Sequence, residues 1–95
     1  MWTVESEKPA LVFRMLPRSM KTMGRATRAD FVVDAALVSR LHCRLNLDDR
    51  NRLNVEDLGS TNGTWVNGRK VKHALLHAGD KLKIGRVEFI VKSDA

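Results

Sequence analysis

Apolar positions along the chain form short segments that recur about every ten residues and are separated by clusters of Gly, Asp, Asn and Pro. The segment 42–47 shows the pattern well, because Cys43, Leu45 and Leu47 alternate with polar residues and therefore share one face of a strand. Cys43 is thus expected in the core. Helical periodicity is nearly absent. The pattern predicts an all-β fold, a two-sheet antiparallel β-sandwich of about nine to eleven short strands.

Turn-forming residues set the limits of the predicted strands. Pro17 cannot donate a ladder hydrogen bond and ends the first strand, and the run 48–51 supplies a turn. Asn67-Gly68 is the strongest hairpin signal, because both residues tolerate the positive φ of a type I′ turn. The predicted strands are 10–16, 21–24, 31–33, 42–47, 53–57, 63–66, 69–71, 81–84 and 87–91.

A chain of 95 residues is long enough for one domain and too short for two. We predict a single domain over residues 9–92, with residues 1–8 and 93–95 as flexible ends. Trp65 alternates within a predicted strand and is therefore expected in the core rather than as a base-stacking platform.

The surface charge should attract anionic partners, because 17 basic and 11 acidic residues give a formal net charge of +6. Nucleic acid, acidic lipid and phosphorylated protein all satisfy that charge. Nucleic acid is not the expected partner, because the chain lacks both a block of about five or six like charges and aromatics interleaved with basic residues. No apolar run approaches the roughly 20 residues of a membrane helix, so no membrane association is expected.

The lone cysteine and the first residues bear on the compartment. Cys43 cannot form an internal disulfide, which fits a reducing compartment, and residues 1–8 lack the basic-then-apolar order of a signal peptide. The expected location is the cytoplasm or the nucleus. His73 and His77 have no third ligand at metal-site spacing, so neither a metal nor a cofactor is expected.

Polar residues and glycines interrupt the strand pattern in three segments: Gly24-Arg25, 39–42 and 57–64. Loops on a rigid sandwich commonly carry binding sites. These loops offer guanidinium groups, hydroxyls and backbone N–H groups, which are the donors that suit an oxyanion. The expected ligand class is therefore phosphate. Ser39 and His42 could instead be a nucleophile and its base, but a third orienting group and an oxyanion hole are lacking, so no catalytic residue and no enzyme activity is predicted.

The order of these motifs resembles the forkhead-associated family. The resemblance rests on Gly24-Arg25, Asp30, Ser39-Arg40-x-His42, Asp57-x-x-Ser60-Thr61-Asn62-Gly63-Thr64-x-Val66-Asn67-Gly68, Gly79-Asp80 and Ile84-Gly85. It spans residues 24–85 and, with the flanking strands, nearly the whole chain. Ala26 is a mild departure, since the family often carries a small polar residue there.

The resemblance implies a SMAD/FHA-like sandwich that binds phosphothreonine peptides after a kinase has acted, and so recruits a phosphorylated partner in signalling. It also implies that Arg25, Ser39, Arg40 and Thr61 contact the phosphate, and that Asn62 hydrogen-bonds the peptide backbone.

Further site residues are expected around this pocket. By resemblance, Leu37 helps to read the peptide residue three positions after the phosphothreonine, and Arg86 is the rival source of selectivity. Gly24, His42 and Gly63 are expected to support the site, with His42 as a buried strut between the loops that carry Ser39 and Asn62. The domain is expected to be monomeric. The alternative function is phosphate-independent protein–protein interaction or oligomerisation.

Overall fold

The computed structural model describes residues 1–94, which form eleven strands and no helix. The strands are β1 (Trp2–Glu7), β2 (Ala10–Met15), β3 (Ser19–Gly24), β4 (Phe31–Val32), β5 (Cys43–Leu47), β6 (Leu53–Asp57), β7 (Thr64–Val66), β8 (Arg69–Val71), β9 (His73–Leu76), β10 (Lys81–Ile84) and β11 (Val87–Ser93). Within residues 1–94 there is therefore no helix that could cross a membrane. Ala95, part of the predicted C-terminal end, lies outside the described residues.

The strands form two packed sheets, which confirms the predicted β-sandwich. One sheet has six strands in the order β2-β1-β11-β10-β7-β8, and the other has five in the order β4-β3-β5-β6-β9. All pairs are antiparallel except β3 and β4, whose parallel register places Met23 opposite Phe31. The fold is thus antiparallel with one short parallel pair.

The core lies between the two sheets and is formed by alternate residues of the strands, as the period of two requires. Phe89, Leu82 and Ile84 project inwards from the six-stranded sheet, and Leu45 and Val55 from the other, all essentially inaccessible to solvent. Along one side the edge strands meet through Phe13 and Phe31, whose rings stack with centroids 4.6 Å apart. Burial of these side chains supplies the main stabilising free energy of the sandwich.

Cys43 is fully buried within this core. Burial raises the pKa of its thiol to about 12, because a thiolate would lose its hydration there and would also lie near Asp57. The side chain therefore packs as a small apolar group, as its alternation with polar neighbours predicts.

The hairpin at Asn67-Gly68 forms where its sequence predicts it. Asn67 and Gly68 have φ of 50° and 81°, the left-handed values that a type I′ turn needs at both central positions. The turn pairs β7 with β8, with Val66 opposite Arg69.

The prediction that residues 1–8 form a flexible end is wrong. Residues 2–7 form β1, which lies between β2 and β11 in the six-stranded sheet, and Ser93 pairs with Trp2 in β11. Trp2 is 9% exposed, and its indole N–H donates to Asn51 Oδ1 at 3.1 Å. The terminal segment is ordered because Trp2 and Val4 face the core while both edges of β1 are hydrogen-bonded.

The short strand β9 is absent from the sequence prediction. It pairs with β6 at the edge of the five-stranded sheet, with Leu53 opposite Leu76. Only Leu76 of its four residues is buried, while His73 and Leu75 are exposed. An edge strand that contributes one core side chain has almost no periodic signal.

Candidate functional site

The three loop segments that interrupt the strand pattern meet at one end of the sandwich. They follow β3, precede β5 and connect β6 to β7. Between them lies an open cavity of about 490 Å³, lined by Arg25, Ala36, Leu37, Val38, Ser39, Thr61 and Asn62. The sequence-predicted residues Arg25, Ser39, Thr61, Asn62 and Leu37 are thus brought together, whereas Arg40 follows Ser39 in the chain and is exposed but does not line the cavity.

The end of β3 packs directly against the loop before β5. A Cβ on Gly24 would lie 2.0 Å from the carbonyl oxygen of Arg40, so only glycine permits this approach. The next residues continue the contact, since Arg25 N donates to Ser39 O at 3.0 Å and Ala26 N to Arg40 O at 3.1 Å. These bonds hold the backbone at Arg25 and Ala26 against the backbone at Ser39 and Arg40.

Arg25 and Arg40 are exposed, and neither guanidinium group has a carboxylate within 4 Å among residues 1–94. Arg25 Nε donates to Val38 O at 3.1 Å, which orients the side chain along the cavity. Its two terminal nitrogens make no hydrogen bond to the described residues. Arg25 therefore presents a fixed fork of donors, the geometry that suits phosphate or carboxylate oxygens.

His42 connects two of the loops from inside the protein. It is fully buried, and its Nδ1 accepts a hydrogen bond from Ser39 N at 3.0 Å. Nδ1 as an acceptor leaves the proton on Nε2, which donates to Gly63 O at 2.8 Å. The ring is thus hydrogen-bonded on both sides. It touches the backbone of Ser39 and not its hydroxyl, so the arrangement lacks the base–nucleophile bond of a catalytic pair.

The hydroxyl of Ser39 is a further polar group at the cavity, which Ser39 lines. Ser39 Oγ accepts a hydrogen bond from Thr61 N at 3.1 Å, which leaves the hydroxyl proton available for a ligand. Thr61 itself is exposed. This bond also ties the loop before β5 to the loop after β6, independently of His42.

Asp57 organises the loop that carries Thr61 and Asn62. Its carboxylate accepts hydrogen bonds from Gly59 N and Ser60 N, each at 3.1 Å, and from the hydroxyls of Ser60 and Thr64 at 2.5 and 2.7 Å. Burial raises the pKa of Asp57, but these hydrogen bonds outweigh burial and hold the pKa below its ordinary value. The carboxylate is therefore ionised and the loop fixed. The sequence pattern gave Asp57 no such role, although an Asp three residues before Ser60 is the local signal of this turn.

Asn62 is hydrogen-bonded through both its side-chain amide and its backbone carbonyl. Its Nδ2 donates to Leu37 O at 3.1 Å, and its carbonyl accepts from Trp65 Nε1 at 3.1 Å. The side-chain oxygen and one amide hydrogen remain available towards the cavity. Leu37 has φ of 69°, a conformation that is strained for leucine, and its side chain is 47% exposed at the rim.

Arg86 is exposed but does not line the cavity. Gly85, its neighbour, approaches the loop closely, since a Cβ there would lie 3.0 Å from Ala36 O. Arg86 is thus adjacent to the rim beside Leu37.

Gly63 has φ of 86°, and its backbone lies against the Lys70 side chain.

The prediction that Trp65 lies in the core is wrong. Its neighbours Thr64 and Val66 face inwards, and Trp65 is half-buried on the outer face of the six-stranded sheet. Thr64 can be buried because its hydroxyl donates to Asp57. Alternation predicts that Trp65 and Val66 point to opposite faces, but it does not say which face is inside.

The described residues form no cluster of side chains that could hold a metal ion. No group of three or more His, Cys, Asp or Glu side chains within residues 1–94 has the proximity that a metal ion requires. The site instead consists of hydrogen-bond donors and positive charge.

A family model for the FHA domain matches residues 21–85 of the chain, which include every loop of this site. The chain belongs to the FHA family. Its sequence is 37% identical over 76 residues to the glycogen accumulation regulator GarA of Mycobacterium tuberculosis, covering 80% of this chain and 46% of that protein. It is 34% identical over 76 residues to the oxoglutarate dehydrogenase inhibitor of Corynebacterium diphtheriae, covering 80% and 52%. The chain spans about half the length of these relatives.

Solved FHA domains have the same fold along their whole length. The FHA domain of the CT664 protein from Chlamydia trachomatis superposes with a TM-score of 0.93 at 26% identity, covering 99% of this chain and 98% of that one. A domain from a study of phosphothreonine-dependent FHA interactions gives a TM-score of 0.91 at 28% identity, covering 99% and 97%. The FhaA FHA domain, solved in complex with the intracellular domain of Rv3910, gives 0.89 at 29% identity, covering 97% and 100%.

Proposed function

We propose that this FHA domain binds a phosphothreonine-containing segment of a partner protein, inside the cell and after a kinase has acted, and that it catalyses no reaction. The observation that carries the proposal is the convergence of Arg25, Ser39 and Thr61 on one open cavity. Arg40 is exposed and directly follows Ser39 in the chain. The similarity to a domain studied for phosphothreonine-dependent interactions supports the same ligand.

The donors of the cavity suit a dianionic phosphate. A phosphothreonine carries about −1.5 to −2 charges and three strong acceptor oxygens. The terminal nitrogens of Arg25, the hydroxyl of Ser39 and the side chains of Arg40 and Thr61 supply the matching donors. Each charge-assisted hydrogen bond contributes about 1.5–3 kcal/mol, so two or three of them are enough to separate a phosphorylated peptide from its bare form.

The rest of the peptide is recognised by the rim. Asn62 offers both an acceptor and a donor beside the cavity, which fits hydrogen bonding to an extended peptide backbone. Leu37 projects an apolar side chain and favours an aliphatic residue near the phosphothreonine, while Arg86 would favour an acidic one. We propose these two residues as the determinants of peptide preference.

The proposed partner is a phosphorylated protein. The matched relatives are a regulator of glycogen accumulation and an inhibitor of oxoglutarate dehydrogenase. These names support a regulatory role for the protein that contains this domain. We propose that the isolated domain acts as a monomer and uses no cofactor.

A phosphothreonine peptide library, followed by calorimetry on the selected peptide, tests the function. The wild type should bind with micromolar affinity, about −8 kcal/mol. Arg25→Ala should lose at least about 2 kcal/mol, because the charge and the fork geometry both disappear. Arg50→Ala is the matched control, since Arg50 is exposed in the turn after β5 at the opposite end of the sandwich. Equal binding by Arg25→Ala and the wild type would show that the cavity is not the binding site.

A further inference from the structure

The outer face of the six-stranded sheet carries an aromatic side chain among lysines. Trp65 lies directly opposite Lys83 on β10 and Lys70 on β8, and Lys83 in turn lies opposite Glu88 on β11. Lys81, two residues before Lys83, projects from the same face. We call these five residues, Trp65, Lys70, Lys81, Lys83 and Glu88, the Trp65 face.

This face is a concave and positively charged surface. Trp65, Lys81, Lys83 and Glu88 line a depression of about 690 Å³ together with Asn67 and Gly68. None of the three lysines has a carboxylate within 4 Å among residues 1–94. Three positive charges therefore face solvent against the single negative charge of Glu88.

The Trp65 face is continuous with the candidate phosphopeptide site. Trp65 Nε1 donates to the carbonyl of Asn62 at 3.1 Å, so the indole begins where the binding loop ends. Lys70 lies against the same loop, because a Cβ on Gly63 would meet its Cε at 2.7 Å. A polypeptide that leaves the cavity on the side of Asn62 and Gly63 would therefore meet Trp65 and Lys70 first.

We propose that the Trp65 face binds an acidic segment of the same phosphorylated partner, outside the phosphothreonine itself. This proposal rests on the proposed function. Lys81 and Lys83 are separated by about 6.6 Å along their strand, which matches carboxylates at alternate positions of an extended segment. Tryptophan is enriched among residues that dominate protein interfaces. Glu88 within the face and the presence of only one aromatic side chain favour a polypeptide over a single-stranded nucleic acid, which is usually bound on several stacked aromatics.

The test compares phosphothreonine peptides with an identical core and different six-residue extensions. One extension alternates Glu with Ser, the other alternates Gln with Ser, and each is placed on either side of the core in separate peptides. Calorimetry or fluorescence anisotropy measures the affinity of each peptide for the wild type and for Lys81→Gln/Lys83→Gln. Arg18→Gln/Arg50→Gln is the matched control, because it removes two exposed positive charges from turns at the other end of the sandwich.

On one side of the core, the acidic extension should raise the affinity for the wild type about three- to tenfold over the neutral extension, as expected for two exposed ion pairs. That gain should shrink with added salt and disappear in Lys81→Gln/Lys83→Gln, while the control variant keeps it. If both extensions bind equally well on both sides, the Trp65 face is not a binding surface although the phosphate site stands.

Two other results would also overturn the proposal. If neither phosphopeptide binds, the proposed function fails and the proposal fails with it. If a single-stranded oligonucleotide displaces the acidic extension and binds the wild type more tightly than Lys81→Gln/Lys83→Gln, the face belongs to nucleic acid.

Discussion

Replacement of His42 by phenylalanine tests the internal support of the site. The substitution keeps a ring of similar size but removes both nitrogens. It leaves the N–H of Ser39 and the carbonyl of Gly63 without their partners. In the wild type these partners are Nδ1 and Nε2 of His42, at 3.0 and 2.8 Å. An unsatisfied buried polar group costs about 1–3 kcal/mol.

The expected magnitude follows from the burial of the two groups. Ser39 is half-buried and water can reach its N–H, so the loss of the hydrogen bond from this N–H should cost about 1 kcal/mol. Gly63 is buried, so the loss of the hydrogen bond to its carbonyl should cost about 2 kcal/mol. The sum, about 3 kcal/mol, is a large part of the roughly 5–15 kcal/mol that stabilises a typical domain. It corresponds to a decrease in Tm of roughly 12–24 °C for a domain of this size.

Urea denaturation of the purified domain measures this difference. His42→Gln should recover part of the stability, because its amide offers one acceptor and one donor. His73→Phe is the matched control and should change the free energy of unfolding little, since His73 is exposed. A His42→Phe variant within about 0.5 kcal/mol of the wild type would refute the role of the two hydrogen bonds.

Three further substitutions test other parts of the site. Gly24→Ala should destabilise the domain and weaken phosphopeptide binding, because its Cβ would lie 2.0 Å from Arg40 O; denaturation and calorimetry on one sample check both. Asp57 has a lowered pKa, so the stability it contributes is present above pH of about 4 and is lost as pH falls through its folded-state pKa. Asp57→Asn should therefore be less stable than the wild type at neutral pH, with a difference that narrows in acid, and a constant difference would contradict this. Trp65→Phe removes the N–H bonded to Asn62 O and should weaken phosphopeptide binding about two- to tenfold, as calorimetry would show.

The features predicted correctly from the sequence are those set by local chemistry. The period of two in β5 puts Cys43 and Leu45 on one buried face whatever their partners are. Asn67 and Gly68 form a type I′ turn because of their own backbone preferences. The donor types in the loops predict an anion as the ligand class before any distance is known, and that ligand stays a prediction.

The features missed depend on contacts between distant parts of the chain. The order of β1 comes from pairing with β11, about ninety residues away, with Trp2 opposite Ser93. Trp65 faces outwards because Thr64 finds a hydrogen-bond partner in Asp57, which no local pattern around β7 shows. The close approach of Gly24 to Arg40 likewise exists only after the sheets have formed.

The central claim is that the cavity between the loops binds phosphothreonine, and a ¹H–¹⁵N NMR titration tests it most directly. Matched phosphorylated and unphosphorylated peptides are added to the ¹⁵N-labelled domain. The account predicts saturable shifts of the backbone amides of Arg25, Ser39, Thr61 and Asn62 with the phosphorylated peptide alone. Shifts confined to residues away from these loops, or identical shifts with the unphosphorylated peptide, would contradict it.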